Sequence, residues 1–254
     1  MKLLKTLVVV VLFSSLGCGS LMVRPDIGSL VKPRISFSPQ PGSGYTSSIE
    51  PGYIQEIQYR AALNNASAMF ALVFAGGFSP WQKDFSEGEW TTWKISDGGS
   101  VADFTLKYAL LKRLDARRNW WQLEVNDGDI IYEALLNTSG YLTERLRAQF
   151  SGEAPIEVPV SNDYPLNLAA SQIQASSVER YFVREEFLQT PAGSFNTKYY
   201  RYPAPDGSGE LALWVSERVP GGLVRYRWKS NRGDELSLVL QAYGSGTKTQ
   251  LNSY

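Results

Sequence analysis

Apolar residues recur at three- and four-residue spacing from Tyr53 to Phe74, with Ile54, Ile57, Ala61, Ala68 and Leu72 among them. That period predicts a helix. No charged residue falls between Arg60 and Lys83. Asn64, Asn65 and Ser67 argue against a membrane span, so the helix packs into a sheet as core or lines an apolar cavity. Gly76-Gly77 ends it.

After Trp90 the period becomes two. Phe104, Leu106, Tyr108 and Leu110 alternate with Thr105, Lys107 and Ala109. Trp121, Leu123 and Val125 alternate with Gln122 and Glu124, Asn126-Asp127-Gly128-Asp129 supplies a turn, and Ile130 to Leu136 runs back. This is a hairpin pattern. Leu146 to Phe150, Tyr181 to Phe187, Phe195 to Tyr202, Leu211 to Ser216, Leu223 to Lys229 and Leu236 to Tyr243 also read as strands. Pro155, Pro159 and Pro165 make an interior strand improbable between them. The fold expected is mainly β: a curved antiparallel meander of about ten strands, half-barrel-like, wrapped on one early helix.

The first residues have a different grammar. Met1-Lys2-Leu3-Leu4-Lys5 is basic, Thr6 to Phe13 is apolar, and Ser15-Leu16-Gly17-Cys18 follows. The layout is that of a secretory signal. Its ending resembles the lipobox of bacterial lipoproteins. The resemblance implies cleavage before Cys18, a thioether-linked lipid on its sulfur and an acyl chain on the new amino group. Gly19, rather than Asp, follows Cys18, which in diderm bacteria implies the outer membrane. The expected organisation is a signal peptide over 1–17, a lipidated Cys18 with a Gly/Ser/Pro-rich tether to residue 52, and a β-rich domain over 53–254. Possible halves of that domain are 53–160 and 161–254.

Thr190-Pro191-Ala192-Gly193-Ser194-Phe195 precedes a tyrosine-rich strand, and Trp214-Val215-Ser216-Glu217-Arg218-Val219-Pro220-Gly221-Gly222 reads as a hairpin. The pairing resembles one in bacterial envelope proteins whose sheets are similar to the half-barrel of the lipoprotein-carrier group, LolA and LolB. The resemblance implies a periplasm-facing curved sheet and, in the carrier branch, an apolar cavity for acyl chains. It carries no catalytic residues.

Composition narrows the chemistry. The chain has 254 residues, no histidine, and Cys18 as its one cysteine. General-base histidine chemistry, disulfides and zinc, haem or iron–sulfur cofactors are therefore not expected. Lysine plus arginine equal aspartate plus glutamate at 25 each, which gives no support to nucleic-acid binding. Glu124 and Glu133 flank one hairpin and are the carboxylate pair that could approach across it. Glu185 and Glu186 are adjacent and point apart.

The partners expected are a membrane, through the lipid anchor, and a lipid or an envelope protein. An apolar ligand would meet Met69, Leu72 and Val73 on the helix, with Trp121 and Trp214 on the strands. Trp120-Trp121 implies that both sheet faces are apolar there, one packing on the helix and the other meeting a partner or lipid. Arg225, Arg227 and Lys229 share one face of a strand whose other face carries Tyr226 and Trp228. That basic face is a solvated surface or one that meets anionic headgroups or peptidoglycan carboxylates.

Overall fold

A computed structural model describes residues 62, 66, 85–96, 103–137, 142–160, 179–203, 207 and 209–254. Eleven strands form one antiparallel sheet: β1 Trp90–Ser96, β2 Phe104–Arg113, β3 Arg118–Val125, β4 Ile130–Asn137, β5 Leu142–Phe150, β6 Ile156–Val158, β7 Phe182–Thr190, β8 Gly193–Pro203, β9 Gly209–Val215, β10 Leu223–Ser230 and β11 Glu235–Gly244. Their order is β6-β5-β4-β3-β2-β1-β11-β10-β9-β8-β7. Two meanders, β1–β6 and β7–β11, are thus joined where β1 pairs with β11, Lys94 opposite Val239. β6, the strand among the prolines, lies at one edge, where a missing N–H costs no ladder bond.

The sheet is curved. In sheet order two strands separate β8 from β11, about 14 Å if the sheet were flat. The rings of Phe195 and Tyr243 nevertheless lie 6.0 Å apart. Register shifts at Thr92/Trp93, Leu110/Lys112, Leu135/Leu136 and Leu223/Arg225 supply local twist, as bulges do.

The inner face holds the main core. One ladder row runs Phe104, Ile95, Leu238, Tyr226, Leu213, Tyr200 across β2, β1, β11, β10, β9 and β8, and all six are buried. Ala62 and Ala66 are helical and fully buried in this same core. The predicted helix therefore meets the inner face at these two positions.

β1 was not among the strands read from the sequence. Trp90 and Trp93 differ in parity, so each face of the strand carries an aromatic and the apolar–polar contrast is hidden. β1 itself alternates without a break: Thr91, Trp93 and Ile95 are buried while Trp90 packs on the outer face, and the extra residue at the irregularity is Gln241 of β11.

Gly221 and Gly222 have φ of 72° and 77°, a conformation glycine adopts without a Cβ penalty. A Cβ at Gly221 would also lie 2.6 Å from the buried Phe85 ring. Gly221→Ala is expected to cost about 1–3 kcal/mol. Urea unfolding, with the midpoint falling and the slope unchanged, checks it.

Candidate functional site

The inner face is aromatic and carries polar tips. Trp121 stacks on Tyr108 at 4.7 Å, and Phe85 meets both rings edge-on. Tyr132 lies two ladder steps from Tyr108, across Leu123. On the other half of the sheet, Tyr202, Leu211, Trp228 and Leu236 form one row. Tyr200 donates its hydroxyl to Glu179 at 3.1 Å.

Three buried donors on this face have no hydrogen-bond partner among the described residues: Tyr132 Oη, Tyr202 Oη and Trp228 Nε1. Tyr132 is fully buried, Tyr202 4% exposed and Trp228 8%. Burial pushes the phenols of Tyr132 and Tyr202 well above the usual tyrosine range, so both remain protonated donors at neutral pH. A buried donor left unmade costs about 1–3 kcal/mol.

The outer face is organised differently in its two halves. Around Trp214 it is a stack: Tyr199 lies parallel to the indole at 4.8 Å, Arg184 covers Tyr199, and Arg225 and Arg227 lie over Trp214. The indole N–H donates to Glu186. The basic side of β10 is thereby partly spent on aromatic faces, worth about 0.5–2 kcal/mol per contact; Lys229 alone of the three stays exposed.

Around Trp120 the outer face is covered. Segment 247–254 lies across β3, β4 and β5 as a strap. The Tyr254 ring is 6.2 Å from Trp120, Arg145 lies over the same indole, and Leu251 is fully buried. Trp120 and Trp121 do point to opposite apolar faces. The outward one is met by this chain's own residues rather than by a partner or lipid, because the strap fills the position.

Glu133 anchors the strap. Its carboxyl group, fully buried, accepts from Gln122 Nε2 at 2.9 Å, Thr249 Oγ1 at 2.6 Å, the backbone N–H of Gln250 at 2.7 Å and of Leu251 at 3.3 Å, and Ser253 Oγ. Glu124 accepts from Gln250 Nε2 at 3.0 Å and pairs with Lys107 at 3.3 Å. The two carboxylates do share a face, but both hold structure: each is occupied by the strap.

Trp121 and Trp214 fall on opposite faces of the sheet, so one ligand cannot touch both from one side. The sequence missed Tyr132, Tyr202 and Trp228 as a set. Their signal was an aromatic with a polar tip at inward parity on each strand. Cys18, Met69, Leu72 and Val73 lie outside the described residues.

No family model matches the sequence, and neither does any curated protein. Solved structures do match. MucB aligns with TM-score 0.41 at 11% identity over 74% of this chain and 63% of its own. LprF of Mycobacterium bovis aligns with TM-score 0.34 at 11% identity, over 76% and 95%. The lipoprotein LppX of Mycobacterium tuberculosis aligns with TM-score 0.34 at 10% identity, over 74% and 98%. The chain is similar to these structures in the course of its backbone.

Proposed function

We propose that this chain is a non-catalytic envelope lipoprotein, anchored through Cys18 at the outer membrane and facing the periplasm. The inner face of its sheet binds an amphiphile: a lipid or the acylated end of a polypeptide. The observation that carries this reading is a set of three donors without a partner among the described residues, Tyr132 Oη, Tyr202 Oη and Trp228 Nε1, within an apolar face. A purely structural core gains by replacing such donors with apolar atoms of the same shape. A ligand that brings acceptor oxygens into an apolar site gives them a use. The helical segment carrying Ala62 and Ala66 supplies the opposing wall, and Met69, Leu72 and Val73 are its proposed ligand contacts.

Tyr202→Phe separates the two roles. Removing an unsatisfied hydroxyl is expected to leave stability unchanged or to raise it by up to about 1 kcal/mol. The same change is expected to weaken binding of a fluorescent fatty acid several-fold, because one hydrogen bond to the headgroup is lost. Titration of the probe and urea unfolding on one preparation read both quantities. Wild-type protein that binds no acyl probe, with no lipid co-purifying in native mass spectrometry, overturns the ligand-binding reading. A second reading, an interaction subunit of an envelope complex, is favoured by one observation: Phe187 on edge strand β7 is 69% exposed.

A further inference from the structure

β7 forms one edge of the open sheet and is its most solvent-exposed strand. Phe187 is 69% exposed, Val183 46% and Phe182 44%. The opposite edge, β6, is 3 residues long, whereas β7 has 9. A long, uncovered edge strand is a template for another strand.

The sequence of β7 is self-complementary about Glu185. Arg184 and Glu186 flank it and pair on one face, Nη2 to Oε2 at 2.6 Å. Val183 and Phe187 lie one step further out on either side. The Glu186 carbonyl is turned towards β8, where Thr197 Oγ1 donates to it at 2.9 Å. Backbone groups alternate in direction along a strand, so those of Glu185 and Phe187 face the open edge.

We propose that this edge pairs antiparallel with β7 of a second copy of the chain, about a two-fold axis at Glu185. In that register Arg184 of each copy lies opposite Glu186 of the other, and Val183 opposite Phe187. The two Glu185 residues form a hydrogen-bonded backbone pair. The Arg184–Glu186 pairs then occupy the non-hydrogen-bonded sites, where side chains approach most closely. The like charges at the axis are flanked by Lys198, the cross-strand neighbour of Glu185 on β8. The row across the interface therefore reads Lys198, Glu185, Glu185, Lys198. The register irregularity at Val183 ends the pairing on that side and keeps it short. Such an isologous contact closes as a dimer.

The test uses the full chain in detergent. Opposed Cα atoms at a hydrogen-bonded antiparallel pair lie about 5.5 Å apart, within disulfide reach. Glu185→Cys is expected to give a disulfide-linked dimer on oxidation, whereas Glu153→Cys, in the exposed turn between β5 and β6, gives none. Sedimentation equilibrium is expected to show a wild-type dimer, with Phe187→Asp and Arg184→Glu each raising the dissociation constant at least tenfold. Both side chains are exposed, and far-UV circular dichroism confirms that the variants remain folded. A wild-type protein that sediments as a monomer at every concentration, or equal crosslinking at positions 153 and 185, overturns the proposal.

Discussion

Glu133→Ala is expected to destabilise the fold by about 3–5 kcal/mol, a large share of the stability of an ordinary domain. Five donors converge on this one buried carboxyl group. Alanine leaves Gln122 Nε2 and two backbone N–H groups without an acceptor. The strap must then stay, with its donors buried and unmade, or peel away and expose Leu251 and Trp120. Arg147 adds to the loss, since its guanidinium donates to the carbonyls of Leu251 and Asn252, and these bonds go with the strap. Glu133→Gln is the discriminating control. Its carbonyl oxygen can keep the three N–H donors, and the hydroxyls of Thr249 and Ser253 can rotate to accept from its amide. It should therefore retain more than half of what alanine loses. Urea unfolding gives the energies, and amide exchange at Gln250 and Leu251 reports whether the strap has opened. If Glu133→Ala loses less than about 1 kcal/mol, the strap does not depend on this anchor.

Much of the sheet was legible because the chain alternates wherever one face is buried and the other less so. β2 and β10 show it plainly: on β10, Arg225, Arg227 and Lys229 point one way and Tyr226 and Trp228 the other. Alternation is hidden where both faces carry aromatics, as Trp90 and Trp93 do on opposite sides of β1. It also fails by nature to say which face of one strand continues which face of another. That needs the register across the whole sheet, and so Trp121 and Trp214, both named as ligand contacts, lie on opposite sides. The strap left a different trace. Ile130 to Leu136 is an apolar run with Glu133 inside it, and a carboxyl group there demands partners. Its partners in the strap are 116 to 120 residues further along, a separation no local pattern encodes. The unpartnered donors of the inner face are legible only in hindsight, because the sequence shows a tyrosine but not whether its hydroxyl is satisfied.

Cys18→Ser is expected to abolish lipid attachment, and with it anchoring of any mature chain. The thiol is the proposed acceptor of the lipid: a thiolate is a good nucleophile near neutral pH, and a serine hydroxyl is not. Cleavage before residue 18 depends on that modification in the lipoproteins whose signal this one resembles, so the variant should accumulate as an uncut or soluble precursor. The effect is large because each buried methylene of an acyl chain contributes about 0.8 kcal/mol and several chains act together. No compensating attachment is expected from the tether over 18–52, whose Ser38-Pro39-Gln40-Pro41-Gly42-Ser43-Gly44 stretch has no apolar run to insert. Expression in a diderm host with labelled palmitate, followed by membrane fractionation, measures both label and location. Wild-type protein that takes up no label and partitions to the soluble fraction would refute the anchor. Labelled wild type beside a serine variant that has lost residues 1–17 and is still equally membrane-bound would show that the sheet itself holds the membrane.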